Sequence, residues 1–197
     1  MPQQVDFFFD FVSPYTYLAQ TQLPALKQRT GASFRLWPMH LLNLMKQVGN
    51  VPTTVICGNK MKYATQDIAR WVSRYGVPFR FNPHVFSGDP MLVLKGALVA
   101  QRQGVEDAYN RAGFAAFWGE GLDVNDRAVL AKRLDAAGLD GRALLETADA
   151  AEYAEQLEKN TKLAGERGVF GSPTFIVGED AFFGNDRLEF LEARIRS

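Results

Sequence analysis

A single cysteine, Cys57, stands among the 197 residues. One thiol cannot close an internal disulfide or form a C-x-x-C pair, which excludes dithiol redox chemistry within the chain. A structural or incidental free thiol is the reading left for Cys57. Histidine is almost as scarce. With only His40 and His84 beside one cysteine, no zinc-ligand spacing can be assembled, and no metal is expected. Excess charge of either sign is lacking: Lys+Arg and Asp+Glu number 22 each. A nucleic-acid binder normally carries a basic surplus, so no nucleic-acid partner is expected. No apolar run is long enough to cross a bilayer. The start lacks a basic leader too, because Asp6 and Asp10 bracket Phe7, Phe8 and Phe9. A soluble, cytoplasmic protein without a membrane partner is the expectation.

What is present suits one compact unit with a real core, since 47% of residues are hydrophobic and 22% charged. Val5 to Phe11 is aromatic and β-prone and predicts a buried strand. Ser13 and Pro14 follow, a cap residue and a first-turn residue for a helix. Tyr15, Ala19, Leu23 and Leu26 continue at helical spacing, and Pro24 should kink or divide that helix. Ser33 to Met39 predicts a second strand, giving a βαβ unit. The middle predicts helices around Ala64–Tyr75, Met91–Gln103, Glu106–Phe117, Asp126–Ala137 and Ala150–Glu166, with loops at 78–90 and 119–125. The end returns to strands, Thr174–Val177 and Ala181–Phe183, across Gly178, Glu179 and Asp180. Asn185 or Asp186 then caps a last helix.

The order βαβ, helical block, ββα resembles a DsbA-like α/β thioredoxin fold with an all-helical insertion. Three segments carry the resemblance. "FDFVSPYTYLA" places Ser13-Pro14-Tyr15-Thr16 where redox members have Cys-Pro-x-Cys. "GVFGSPTFIVG" places Pro173 where the fold has a cis-proline facing the active site. "FFGNDRLEFLE" opens the last helix. Together they are similar to the 2-hydroxychromene-2-carboxylate isomerases and the kappa-class glutathione transferases. "WGEG" at 118–121 and "DIARWVSRYGVPF" at 67–79 lean toward the isomerases. The resemblance implies a thioredoxin-like part at 1–55 and 168–197, with the insertion at 56–167.

It also implies glutathione as cofactor. A helix N-terminus stabilises an anion through unpaired N–H groups and the helix dipole, and thiols placed there have lowered pKa values. Position 13 holds a hydroxyl, so the sulfur must come from outside. Ser13 would donate to the glutathione thiolate and is the catalytic candidate. On its own, Ser13-Pro14 reads first as a plain N-cap, and only the resemblance reverses that reading. Ser172 and Pro173 would pair with the cysteinyl backbone of the tripeptide. Gly184, Asn185, Asp186 and Arg187 would hold its γ-glutamyl end, with helix N–H groups for the carboxylate and Asp186 for the ammonium. Without the resemblance they read equally as an ordinary capped helix with a solvated arginine.

The implied substrate is a small aromatic carboxylate of naphthalene-type catabolism. Tyr15, Trp37 and Met39 are candidates for an apolar slot. Lys46 is the candidate cation, and Asn50, Thr54 and His84 are polar candidates. Each has an ordinary reading as well: Lys46 as a solvated lysine, Trp37 and Met39 as core, His84 as a loop residue bonded to backbone. The resemblance implies interconversion of 2-hydroxychromene-2-carboxylate and trans-o-hydroxybenzylidenepyruvate, and is compatible with a homodimer. A kappa-class-like transferase and a non-catalytic glutathione- or peptide-binding module are the alternatives.

Overall fold

The structure, a computed structural model, describes residues 3–86 and 90–197. Strand β1 (Gln4–Phe9) leads through a short loop into α1 (Pro14–Thr30), and β2 (Ser33–Pro38) follows. Then come α2 (Leu41–Gln47), α3 (Thr53–Ile56), α4 (Gly58–Tyr75), α5 (Met91–Gln103), α6 (Glu106–Phe114), α7 (Arg127–Asp135), α8 (Gly141–Thr147) and α9 (Ala151–Glu166). Strands β3 (Thr174–Val177) and β4 (Asp180–Phe183) and helix α10 (Leu188–Arg196) complete the chain. The sheet order is β2-β1-β3-β4. β1 runs parallel to β2 and antiparallel to β3, with Phe8 opposite Trp37 and Phe7 opposite Phe175.

Residues alternate across a strand, so β1 feeds two cores. Val5, Phe7 and Phe9 join Leu18, Leu23, Leu26, Phe175, Leu191 and Ile195 in one. Phe8 joins Met39, Leu44, Ala164, Val169 and Ile176 in the other. Each fully buried Phe contributes roughly 1.5–3 kcal/mol. Phe7 and Phe175 stack across the strand pair at 4.6 Å.

α1 begins where the sequence predicts, with Ser13 as N-cap and Pro14 in the first turn, and Gly31 closes it in the left-handed region at φ 67°. Pro24 does not divide it. The helix runs unbroken because Leu18, Ala19, Leu23 and Leu26 are buried on both sides of the proline. Three predicted loops or boundaries also change. The segment after β2, read as loop, forms α2 and α3; α8 was not anticipated; and Ala115–Glu120 winds as a π-helix after α6. The predicted loop 78–90 contains a 3-10 turn at Pro83–Phe86 and falls partly outside the described residues.

The helical block is tied to the loop before α1. Trp118, buried in the π-helical turn, donates from Nε1 to the Phe11 carbonyl at 2.8 Å. Among the described residues, no helix is long and apolar enough to cross a membrane.

Candidate active site

β1 ends at Phe9 and the chain turns through Asp10, Phe11 and Val12 to Ser13. Ser13 adopts extended backbone angles, φ −91° and ψ 117°, as an N-cap requires. Its Oγ accepts from the Thr16 N–H at 3.2 Å and donates to the Ser172 carbonyl at 2.9 Å. Ser172 Oγ accepts from the Asp10 N–H at 3.0 Å and pairs with Thr16 Oγ1 at 2.7 Å. All four residues are buried. The Ser172–Pro173 peptide bond is cis. The Ser172 carbonyl, read from the sequence as free for an incoming peptide, is engaged by Ser13.

The third predicted segment joins this net. The Gly184 N–H donates to the Pro173 carbonyl at 3.0 Å. Gly184 sits at φ 105°, and a Cβ there would lie 2.5 Å from Asp186 Oδ1. Asn185–Arg187 forms a 3-10 turn ahead of α10, so neither Asn185 nor Asp186 caps that helix through its side chain, contrary to the sequence expectation. Asn185 is 2% exposed, and its Nδ2 has no hydrogen-bond partner. Its carbonyl accepts from Tyr75 Oη at 3.3 Å. Arg187 pairs with Asp186 at 3.0 Å, both side chains being exposed.

Tyr15 Oη donates to Asp67 Oδ2 on α4 at 3.1 Å. Burial and the neighbouring carboxylates of Asp67 and Asp186 push its phenol well above the usual tyrosine value, so it stays protonated. Tyr15 thus stands where α1, α4 and the 185–187 turn meet.

The remaining predicted residues are dispersed. Trp37 points to the other face of the sheet. Its Nε1 donates to Asp6 Oδ1 at 2.9 Å, its ring stacks on Phe8, and the Arg35 guanidinium lies 4.9 Å above it. It is not brought to Ser13, because the alternation of β2 sends it with Arg35 rather than with α1. Met39 is fully buried in the same core. Lys46 is exposed in the last turn of α2. Asn50 donates from Nδ2 to the Phe170 carbonyl at 2.8 Å, which places it close to the Ser172 segment. Thr54 is half-buried in α3. His84 Nδ1 lies 3.4 Å from Asp123 Oδ2. It shares a hollow of about 10 Å³ with Val12, the neighbour of Ser13. Cys57 is half-buried between α3 and α4. A cavity of about 170 Å³ lies between α1 and α6, lined by Phe7, Leu23, Leu36, Asn110 and Phe114 among others, and contains none of the predicted site residues.

Asp10 was missed by sequence reasoning, which used it only as evidence against a leader. It is fully buried, and its carboxylate accepts from the Val12 N–H at 3.1 Å and the Leu41 N–H at 2.7 Å. Burial raises its pKa to about 6, against the lowering effects of those N–H groups and of His40. An acidic residue inside an otherwise aromatic strand run was the signal available. Asp6 behaves oppositely. Burial works against its charge, but the contacts of Arg35, Trp37 and Arg167 prevail and hold it at about 2. Among the described residues, no group of His, Cys, Asp and Glu could hold a metal ion.

Comparison with known proteins shows the family. Residues 4–196 match the family described as a DSBA-like thioredoxin domain. The chain is 35% identical over 194 residues to a 2-hydroxychromene-2-carboxylate isomerase of Sphingobium xenophagum, covering 98% of each. The solved structure of a 2-hydroxychromene-2-carboxylate isomerase superposes with a TM-score of 0.88 at 32% identity, over 98% of this chain and 94% of that one. Human glutathione S-transferase kappa 1 is 25% identical, over 97% of this chain and 90% of its own. With a serine at the head of α1 and relatives of that identity along nearly the whole length, the chain belongs to the 2-hydroxychromene-2-carboxylate isomerase family of the DsbA-like thioredoxin fold.

Proposed function

We propose that the chain is a glutathione-dependent isomerase interconverting 2-hydroxychromene-2-carboxylate and trans-o-hydroxybenzylidenepyruvate in aromatic catabolism. The observation that carries this reading is Ser13 Oγ, buried at the N-terminus of α1 beside the Ser172 carbonyl. Relatives above 30% identity are named for this isomerisation, and a more distant one is named a glutathione transferase.

The residues suit the tripeptide. The Ser13 hydroxyl now donates to the Ser172 carbonyl, and a small rotation redirects it to a sulfur placed at the helix end. Helix N–H groups and the dipole favour negative charge there. The buried, unpartnered Asn185 Nδ2 is a donor suited to a carboxylate, which agrees with a γ-glutamyl end held at Gly184–Arg187. Asp186 would take the ammonium, and Arg187, already paired with Asp186, would help hold that carboxylate.

Glutathione, if bound there, would supply a nucleophilic thiolate for reversible addition to a conjugated enone, the chemistry that would let the double bond change geometry, with Ser13 and the α1 N-terminus holding the sulfur. The protein's part is to hold the sulfur negative and the two reactants in register. Tyr15, its phenol donating to Asp67, would present its ring and an accepting oxygen at the rim of α1. Lys46 would take the substrate carboxylate, with Asn50, Thr54 and His84 as further polar candidates.

The test is a titration of the protein with glutathione, read by thiolate absorbance, beside an isomerase assay with and without glutathione. Thiolate near neutral pH, weakened in Ser13→Ala, is expected. Isomerisation that proceeds equally without glutathione overturns the reading. A stable conjugate formed with a reactive aryl halide, and no isomerisation, would instead make the chain a kappa-class-like transferase.

A further inference from the structure

Three separate pieces of chain meet beneath Ser13, and Asp10 touches each of them. The first is the loop from β1 to α1, whose Val12 N–H donates to Asp10 Oδ1. The second is the head of α2, whose Leu41 N–H donates to Oδ2 at 2.7 Å. The third is the Ser172 segment, whose Oγ accepts from the Asp10 backbone N–H. We propose that Asp10 is a positioning residue: its buried carboxylate, by bridging the Val12 and Leu41 N–H groups, holds the loop that presents Ser13 in fixed register with α2.

The chemistry requires the ionised form. A carboxylate offers acceptors on both oxygens, whereas a protonated acid turns one oxygen into a donor that faces an N–H group. Both N–H groups therefore meet a full carboxylate acceptor only while Asp10 is charged. A fully buried carboxylate is costly unless it is paired and hydrogen-bonded, and groups so perturbed cluster at functional sites. What depends on that register is α2 and the loop after it. Leu41 is its anchored start, and beyond its end Asn50 is tied to Phe170, next to the Ser172 segment. Protonation of Asp10 frees the first anchor and leaves the second.

The groups facing Asp10 are few. His40, at the head of α2, is the ionisable neighbour whose charge reaches it among the described residues. Phe11, Val12 and Ser13 on the loop and Ser172 on the third segment do not ionise in this range. On α9, Thr161 accepts from the His40 N–H and Asn160 donates to the Pro38 carbonyl, and both are neutral. His40 must therefore be separated from Asp10 by experiment. His40→Asn keeps a side-chain cap for α2 and removes the neighbouring imidazole.

Two measurements decide the matter. The first needs no ligand. Backbone amide resonances of Val12, Ser13 and Leu41 are followed by NMR together with the Asp10 carboxyl carbon. All are expected to move together, with one midpoint near pH 6 in the wild type and a higher shared midpoint in His40→Asn, and to lose that transition in Asp10→Asn. Amides of Ser13 and Leu41 that ignore the Asp10 carboxyl overturn the proposal. That comparison stands on the wild type alone if Asp10→Asn does not fold. The second measurement rests on the glutathione reading and uses S-methylglutathione, which has no thiol to titrate. Its affinity for the wild type is expected to fall about tenfold between about pH 8 and about pH 5, and to stay flat in Asp10→Asn. An affinity that is flat in the wild type, or that falls equally in both, overturns the positioning role. Failure of S-methylglutathione to bind at any pH defeats the glutathione reading instead, and the amide titration still decides whether Asp10 sets the register of Ser13.

Discussion

Ser13 Oγ donates to the carbonyl of Ser172, a residue 159 positions away, at 2.9 Å. That bond joins the head of the first helix to the loop before the third strand. Around it, Ser172 Oγ serves both the Asp10 N–H and Thr16 Oγ1. The candidate site is thus a closed net of hydroxyls and backbone groups, and its members should behave as a unit.

Ser172→Ala leaves the buried Asp10 N–H without its acceptor and is expected to cost about 1–3 kcal/mol of stability. Thr16→Val removes the other hydroxyl of the pair. Because the two hydroxyls touch, the double variant should cost less than the two single costs together. Urea denaturation of the four proteins measures this. Strict additivity would show that the hydroxyl pair has no energetic coupling.

Gly184→Ala forces a Cβ into the left-handed region and against Asp186 Oδ1. The expected result is a loss of at least about 1 kcal/mol of stability and weaker glutathione binding, because the 185–187 turn must shift. Gly31→Ala, with a similarly positive φ but open space around it, is the comparison: it should destabilise the fold while sparing glutathione affinity. Calorimetric binding to both variants separates the effects.

Trp37→Phe removes the indole N–H from Asp6 and should cost about 1 kcal/mol in stability while leaving the isomerase KM unchanged. A raised KM would return Trp37 to the substrate slot.

Asp10 and Asp6 should give stability opposite dependences on pH. The folded protein binds the Asp10 proton more tightly than the unfolded chain does, so this stabilisation is complete below the unfolded value near 3.8 and is lost as pH rises through about 6. Asp6 is held at about 2, so its contribution is present above the unfolded value and is lost as pH falls toward 2. Asp10→Asn should flatten the curve between about pH 4 and about pH 6, and Asp6→Asn should flatten it only below that. Denaturant midpoints across pH test both.

The elements that the sequence made legible are those whose ends carry chemical signals. Ser13 and Pro14 open α1, Gly31 closes it, and α5 spans Met91–Gln103 as predicted. α2 and α3 escaped because their caps are a histidine and a proline and they bury almost nothing of their own. The three predicted site segments do converge, through bonds from Ser13 to Ser172 and from Gly184 to Pro173. Asp10 and the Tyr15–Asp67 pair were not legible. Burial of a carboxylate and a meeting of helices far apart in sequence are tertiary facts, and neither leaves a periodic trace. Trp37 had the right chemistry for a slot, but strand alternation alone could not say which face held the site.

The sheet order has a consequence for how the protein must be made. β1 lies between β2 and β3, and β3 is synthesised only after the whole helical block. On the ribosome, the aromatic run Phe7–Phe9 therefore waits with one edge bare while roughly 160 further residues emerge, the very exposure that invites intermolecular strand pairing. Nascent chains halted before Thr174 should be far stickier than chains halted after Phe183, and should depend more heavily on chaperones.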